Sequence, residues 1–290
     1  MKKLLSLVTI ILISTLVFAQ GKLIESLSIN SKTLGKQVKY SLYLPEGYEN
    51  GTRRFPVLYL LHGYTDNETG WLQFGEMNRI ADQSISSGDA APMLIVMADA
   101  GVSWYINDHS GKTRFEDFFI MELIPYIDSI YRTRADKQFR AVAGLSMGGY
   151  GSLIYAMKHP GLFAACVPLS AAVWTDEQIS TMPDQNWDPL LGELYGKDMK
   201  GKNRFTDHYR KNSILDIVAT GQVEELKKVR YYIDCGDDDF LIKGNMALHA
   251  AMIDKKIPHQ FRIRDGEHNW TYWRTALPEV LKFVSVSFHR

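Results

Sequence analysis

The sequence predicts a doubly wound α/β domain: a mostly parallel central sheet of about eight strands, with helices on both faces and an insertion after the sixth strand. Continuous apolar runs of strand length, such as Phe55-Pro-Val-Leu-Tyr-Leu-Leu61 and Pro92-Met-Leu-Ile-Val-Met97, have the pattern of strands covered on both faces. Segments at helical spacing alternate with these runs. At 290 residues and 46% hydrophobic content the chain can bury a large core, and no Pro/Gly/Ser-rich linker, repeat or low-complexity tract divides residues 20–290.

Taken in order, Leu23 to Ile29 and Lys36 to Leu44 alternate as two strands joined by the turn Asn30 to Gly35, which predicts an antiparallel start. The runs from Phe55 and Pro92 follow, with Met77 to Ser86 as a helix between them. Phe115 to Tyr131 has helical periodicity, and Pro125 is expected to kink it. Further strands are read at Phe139 to Ala143, Ala164 to Leu169, Val229 to Ile233 and Gln260 to Ile263, with helices at Tyr150 to Lys158, Lys243 to Asp254 and Trp270 to Phe283. Right-handed crossovers then bring the loops that follow the strands to one edge of the sheet. Residues 174–212 interrupt this rhythm with an aromatic and charged stretch. It reads equally well as a lid over the strand ends and as an excursion packed by its own aromatics.

The first 19 residues have a different character. Lys2 and Lys3 precede an apolar run from Leu4 to Phe18 that ends in Val17-Phe18-Ala19, the layout of a signal peptide cleaved before Gln20. Export to the periplasm or beyond, with no membrane anchor left after cleavage, is the expectation. Lys+Arg and Asp+Glu balance at 33 each, so nothing favours a nucleic-acid partner. The only cysteines, Cys166 and Cys235, lie in apolar runs and read as buried free thiols. The eight histidines are dispersed without metal-ligand spacing, and neither a metal nor a cofactor is expected.

One segment carries chemistry. Gly144-Leu-Ser-Met-Gly-Gly149 places Ser146 in G-x-S-x-G between an apolar strand and a glycine-rich helix start, the context of a nucleophile elbow. So tight a turn excludes side chains two residues either side of the serine, a demand met by Gly144 and Gly148. The N–H of Met147 is then a natural oxyanion donor, and that of Tyr64, after Leu60-Leu-His-Gly63, a second. A serine hydroxyl needs a histidine base and an acid to orient it, here in the chain order serine, acid, histidine. Asp234-Cys-Gly-Asp-Asp-Asp-Phe240 and Asp265-Gly-Glu-His-Asn269 each follow a strand and fit that order. Asp237, Asp238 and Asp239 compete for the acid, and the G-x-x-D pattern that accompanies such an elbow in hydrolases selects Asp239 through Gly236; position, in a glycine-bearing loop after the last strand, selects His268 over the other histidines. Trp104, Tyr105 and Trp187 are candidate aromatic platforms for a ligand, with core packing as the other reading of each.

These segments, with Glu122-Leu-Ile-Pro-Tyr-Ile-Asp128 and Gly266-Glu-His-Asn-Trp-Thr-Tyr-Trp273, resemble the esterase family of α/β-hydrolases that includes feruloyl and acetylxylan esterases, tributyrin esterases and esterase D. The resemblance runs from about Lys36 to the C-terminus. It implies the α/β-hydrolase fold, with Ser146 as nucleophile, Asp239 as acid and His268 as base, and hydrolysis of a carboxylic ester through an acyl-enzyme without metal or cofactor. A shared catalytic core does not resolve the acyl group; the leader and the aromatics suit plant cell-wall polysaccharide carrying feruloyl or acetyl groups, with a broad short-chain acylesterase or a catalytically idle binding protein as alternatives. The N-terminal leader speaks against the cytosolic S-formylglutathione hydrolase branch.

Overall fold

The computed structural model describes residues 20–289; the leader expected over residues 1–19 lies outside them. Eight strands form one sheet: β1 (Lys22–Ser31), β2 (Lys36–Leu44), β3 (Val57–Leu61), β4 (Leu94–Ala98), β5 (Arg140–Leu145), β6 (Ala165–Leu169), β7 (Arg230–Gly236) and β8 (His259–Arg264). Their spatial order is β1-β2-β4-β3-β5-β6-β7-β8. β2 runs antiparallel to both of its neighbours, and every pairing from β4 onward is parallel. This is the sheet of an α/β-hydrolase. Every residue of β3, β4, β5 and β6 is buried, as their unbroken apolar runs require, whereas edge strand β8 keeps only partly covered and exposed residues.

Alternate residues of the central strands feed two cores. Val57, Tyr59, Leu61 and Val142 point into the layer beneath α4 (Met147–Lys158), together with Leu153 and Ile154 of that helix, and Leu248 and Met252 of α5 (Ile242–Asp254) join the same core. Leu58, Leu60, Ala141 and Ala143 face α1 (Met77–Ser86) and α6 (Trp270–Phe288), where Ile80, Ala276, Leu277 and Val280 cover them. A strand's two-residue period is thereby used in full. Cys166 and Cys235 are both buried and free, and burial pushes the Cys166 thiol up to about 12. Among the described residues no helix is long and apolar enough to cross a membrane.

The helical stretch around Pro125 departs from a simple kink. α2 (Phe115–Phe118) passes into a π turn (Phe119–Leu123) before α3 (Ile124–Ile130), and the N–H of Ile124 reaches back to the Phe119 carbonyl. Pro125 has no N–H to give, and the wider turn just ahead of it relieves the carbonyls its ring would otherwise meet. α3 also shows what the Glu122 to Asp128 segment does. Glu122 accepts hydrogen bonds from the backbone N–H and the hydroxyl of Thr33, holding the β1–β2 turn. Asp128 pairs with the buried Arg140 at 2.7 Å and accepts a bond from Thr133.

Residues 174–212 form a self-packed excursion of short helical turns. Arg204, fully buried, donates to the carbonyls of Ile179, Met182 and Met199 and to Asp184, and its guanidinium lies 4.8 Å from the centre of the Trp187 ring. Tyr195 and Tyr209 pack edge to face, and the Tyr150 hydroxyl of α4 donates to the Asn212 carbonyl, tying the excursion to the body.

Arg140 would keep its charge if Asp128 were removed, in a site too dry for it. Asp128→Ala should therefore destabilise the protein by about 3 kcal/mol. This is read as a lower urea midpoint; an unchanged midpoint would show that the pair is idle.

Candidate active site

The turn out of β5 fixes everything else. Ser146 has φ 52° and ψ −115°, a left-handed backbone that costs a non-glycine residue on the order of 1–3 kcal/mol. Its surroundings hold it there: its N–H donates to the Leu169 carbonyl, and its own carbonyl accepts from Tyr150 and Ala172. A Cβ on Gly144 would sit 2.5 Å from the Gly148 carbonyl oxygen, and one on Gly148 would sit 2.5 Å from that of Leu61. Only glycines let β3, β5 and α4 approach this closely. Met147 is the first residue of α4, so its N–H has no acceptor within the helix and is free for a ligand.

Two loops from the far side of the sheet bring the partners. His268 Nε2 lies 3.0 Å from Ser146 Oγ, and His268 Nδ1 lies 2.8 and 3.0 Å from the two carboxylate oxygens of Asp239. A carboxylate only accepts, so the imidazole proton sits on Nδ1 and Nε2 presents its lone pair to the serine hydroxyl. Asp239 is almost wholly buried, and burial alone would raise its pKa. The hydrogen bonds from His268 and from the Leu241 N–H outweigh that and hold the carboxyl below its ordinary range.

Asp237 and Asp238, the rival acids, are exposed and link the two loops instead. The Asp238 N–H donates to the Gly266 carbonyl, and Asp237 Oδ1 accepts from the Gly266 N–H. The loops are so close that a Cβ on Gly236 would sit 2.1 Å from the Gly266 carbonyl oxygen. Beneath them Asp234, fully buried, accepts from the hydroxyls of Tyr232 and Tyr272 and from Arg264 at 2.9 Å. It joins β7, β8 and α6, the elements on either side of Asp239 and His268. Asn269 caps α6 by accepting from the Tyr272 N–H.

Three supporting residues carry no local signal in the sequence. Asp234 lies within the acidic segment, but nothing local marks it as an anchor. Ser170, with φ 45° at the end of β6, accepts the Trp273 indole N–H at 3.1 Å. Trp273 in turn packs edge-on against the His268 ring. His62 is buried, which lowers its pKa and keeps it neutral. Its Nδ1–H donates to the Gly63 carbonyl and its Nε2 accepts from the Ala100 N–H, which locks the loop carrying Tyr64.

A cleft of about 350 Å³ opens above Ser146 and His268. Tyr64, Trp104, Trp174 and Leu190 form one wall; Phe240 and Trp270 stand on the His268 side, with the Phe240 ring 4.5 Å from the imidazole. Of the three aromatics expected as platforms, Trp104 alone lines this cleft, its indole N–H bonded to the Leu190 carbonyl. Tyr105 is a correction. It adopts φ 62° directly after Trp104 at φ 54°, and this double left-handed turn sends its ring into the core. There it packs against Gly151 and donates to the His62 carbonyl. Trp187 is the second correction: it is buried inside the excursion with its N–H on the Gly196 carbonyl.

Known proteins share this architecture. The chain is 38% identical over 259 residues to Esterase Rv1288 of Mycobacterium tuberculosis, covering 82% of this chain and 54% of that protein. It is 37% identical over 163 residues to an endo-1,4-beta-xylanase/feruloyl esterase of Xylanibacter ruminicola, covering 54% of this chain and 22% of the relative. The chain thus spans about half of the first protein's length and about a fifth of the second's. A solved ferulic acid esterase superposes with a TM-score of 0.81 at 33% identity, covering 93% of this chain and 99% of the other. The family described as Putative esterase matches residues 31–284, and the chain belongs to this esterase family.

Proposed function

We propose that this protein hydrolyses carboxylic esters through an acyl-enzyme on Ser146, and that its substrates are feruloyl or acetyl esters of plant cell-wall polysaccharide or its oligosaccharides. The observation that carries the ester chemistry is the unbroken hydrogen-bonded chain from Ser146 through His268 to Asp239. Ser146 Oγ attacks the ester carbonyl as His268 Nε2 takes its proton, and Asp239 stabilises the imidazolium. The N–H groups of Tyr64 and Met147 receive the oxyanion, where a single donor is worth about 10²–10³ in rate. His268 returns the proton to the leaving alcohol, then activates the water that releases the acid.

Several features support the substrate class. The cleft has aromatic walls on both sides, of a volume suited to a small organic group. Two similar proteins have names that refer to feruloyl or ferulic acid esters. The apolar leader over residues 4–18 fits a polymer substrate met outside the cytoplasm, and export is part of the proposal.

Ser146→Ala should abolish ester cleavage and leave the thermal unfolding midpoint within a few degrees of wild type; residual turnover by the pure variant would remove Ser146 from the mechanism. Asp239→Asn should lower kcat about 10⁴-fold with KM little changed, by allowing the wrong imidazole tautomer. The folded Asp239 carboxyl is held below its unfolded value of about 4, so its stabilising contribution is present above that pH and lost as pH falls through the folded value. Wild-type stability should accordingly decline below about pH 4 more steeply than that of Asp239→Asn, measured by urea unfolding at several pH values. On the substrate side, ferulate or acetate should be released from xylan fragments. Efficient cleavage of butyryl esters with no release from either sugar ester would make the protein a short-chain acylesterase.

A further inference from the structure

The chemistry of His268 divides the cleft. The leaving oxygen must come within hydrogen-bond reach of Nε2, so the alcohol half of the ester lies on the His268 side and the acyl half on the side of Tyr64, Trp104 and Trp174. On the alcohol side the surface is aromatic and open to solvent. Phe240 is 69% exposed beside the imidazole, and Phe74, 50% exposed, lies 5.8 Å from Trp270 at an interplanar angle of 35°. Trp270 is braced from below by Trp71 and Trp273.

Past these rings lies a second cavity, a groove of about 510 Å³ between α1 and α6. The two cavities share no lining residue, but they flank the same turn of α6: Trp270 lines the cleft and the next residue, Thr271, lines the groove. Arg274 of the groove donates to the carbonyl of Phe74, whose ring packs on Trp270. Most of the groove's wall consists of hydrogen-bonding side chains, among them Glu76, Arg79, Gln83, Ser87 and Thr271. Its cations, Arg79 and Arg274, are matched by the anions Glu76 and Asp89, and Arg79 is already paired with Glu76.

Resting on the reading of a carbohydrate ester, we propose that this groove is the subsite for the glycan half of the substrate, entered across Phe240, Trp270 and Phe74. Exposed ring faces match the C–H faces of a pyranose or furanose, and the balanced polar wall beyond them matches the hydroxyls of a neutral sugar chain. A charged polymer would find no net opposite charge there.

The test compares one acyl group on two alcohols: feruloylated arabinoxylo-oligosaccharide against methyl ferulate, or acetylated xylo-oligosaccharide against ethyl acetate, whichever acyl group the wild type releases faster. The wild type should favour the sugar ester in kcat/KM. In Phe74→Ala, and in the double variant Arg79→Ala with Gln83→Ala, that preference should fall about tenfold through KM, with thermal unfolding confirming that each variant is folded. A wild type that favours the simple ester, or a preference that survives both variants, overturns the proposal while leaving the esterase chemistry intact. If the wild type releases nothing from either sugar ester, the carbohydrate reading itself has failed, and binding of unesterified xylo-oligosaccharide by calorimetry decides the groove separately. Binding that the double variant loses supports the subsite, and no binding by the wild type removes it.

Discussion

The close approach of β5, α4 and β3 at Ser146 is the constraint on which the rest depends. Two glycines remove the Cβ atoms that would collide with the carbonyls of Gly148 and Leu61, and the backbone at Ser146 is bent into the left-handed region. The bend lifts Oγ out of the sheet and starts α4 directly behind it, so the nucleophile and the free N–H of Met147 arise from one turn. Hydrogen bonds to Leu169, Tyr150 and Ala172 hold the strain in place from three directions.

A nucleophile fixed this firmly requires equally firm partners, and these come from two loops with little regular structure of their own. Asp234 compensates for that looseness. Its carboxylate gathers a tyrosine from its own strand, an arginine from β8 and a tyrosine from α6, and its carbonyl accepts the N–H of Ser170. The two loops are then stitched to each other through Asp237, Asp238 and Gly266. The three-aspartate run is thus a division of labour in which the two exposed members fasten the loops and the buried one faces the imidazole.

The walls of the cleft follow from a similar economy. The excursion after β6 is stabilised by its own charged core of Arg204 under Trp187, and reaches the cleft through Trp174 and Leu190. The Tyr64 hydroxyl donates to the Pro189 carbonyl, which fastens the excursion to the loop after β3. Among the described residues nothing similar covers the side of His268, where Phe240, Trp270 and Phe74 form an aromatic surface beside the groove between α1 and α6.

The eight strands, the four long helices, the elbow segment at Ser146 and the candidate partners Asp239 and His268 were legible in the sequence, because apolar runs, glycine positions and loop order are local or sequential signals, whereas the helices between β6 and β7, such as Ile214–Thr220, were not. The sequence did not determine which aromatics face a ligand. Trp104 and Tyr105 are neighbours of similar character, yet one lines the cleft and the other is core, and Trp187 is consumed by the excursion's own packing. Phe240 and Trp270 stood inside recognisable segments without any mark of their orientation. Nor could His62, Ser170 or Asp234 be read as supports, since each acts on groups from distant strands. A burial pattern reports that a side chain leaves water, whereas the direction it takes depends on backbone turns and on partners far away in the chain, which exist only once the fold has formed.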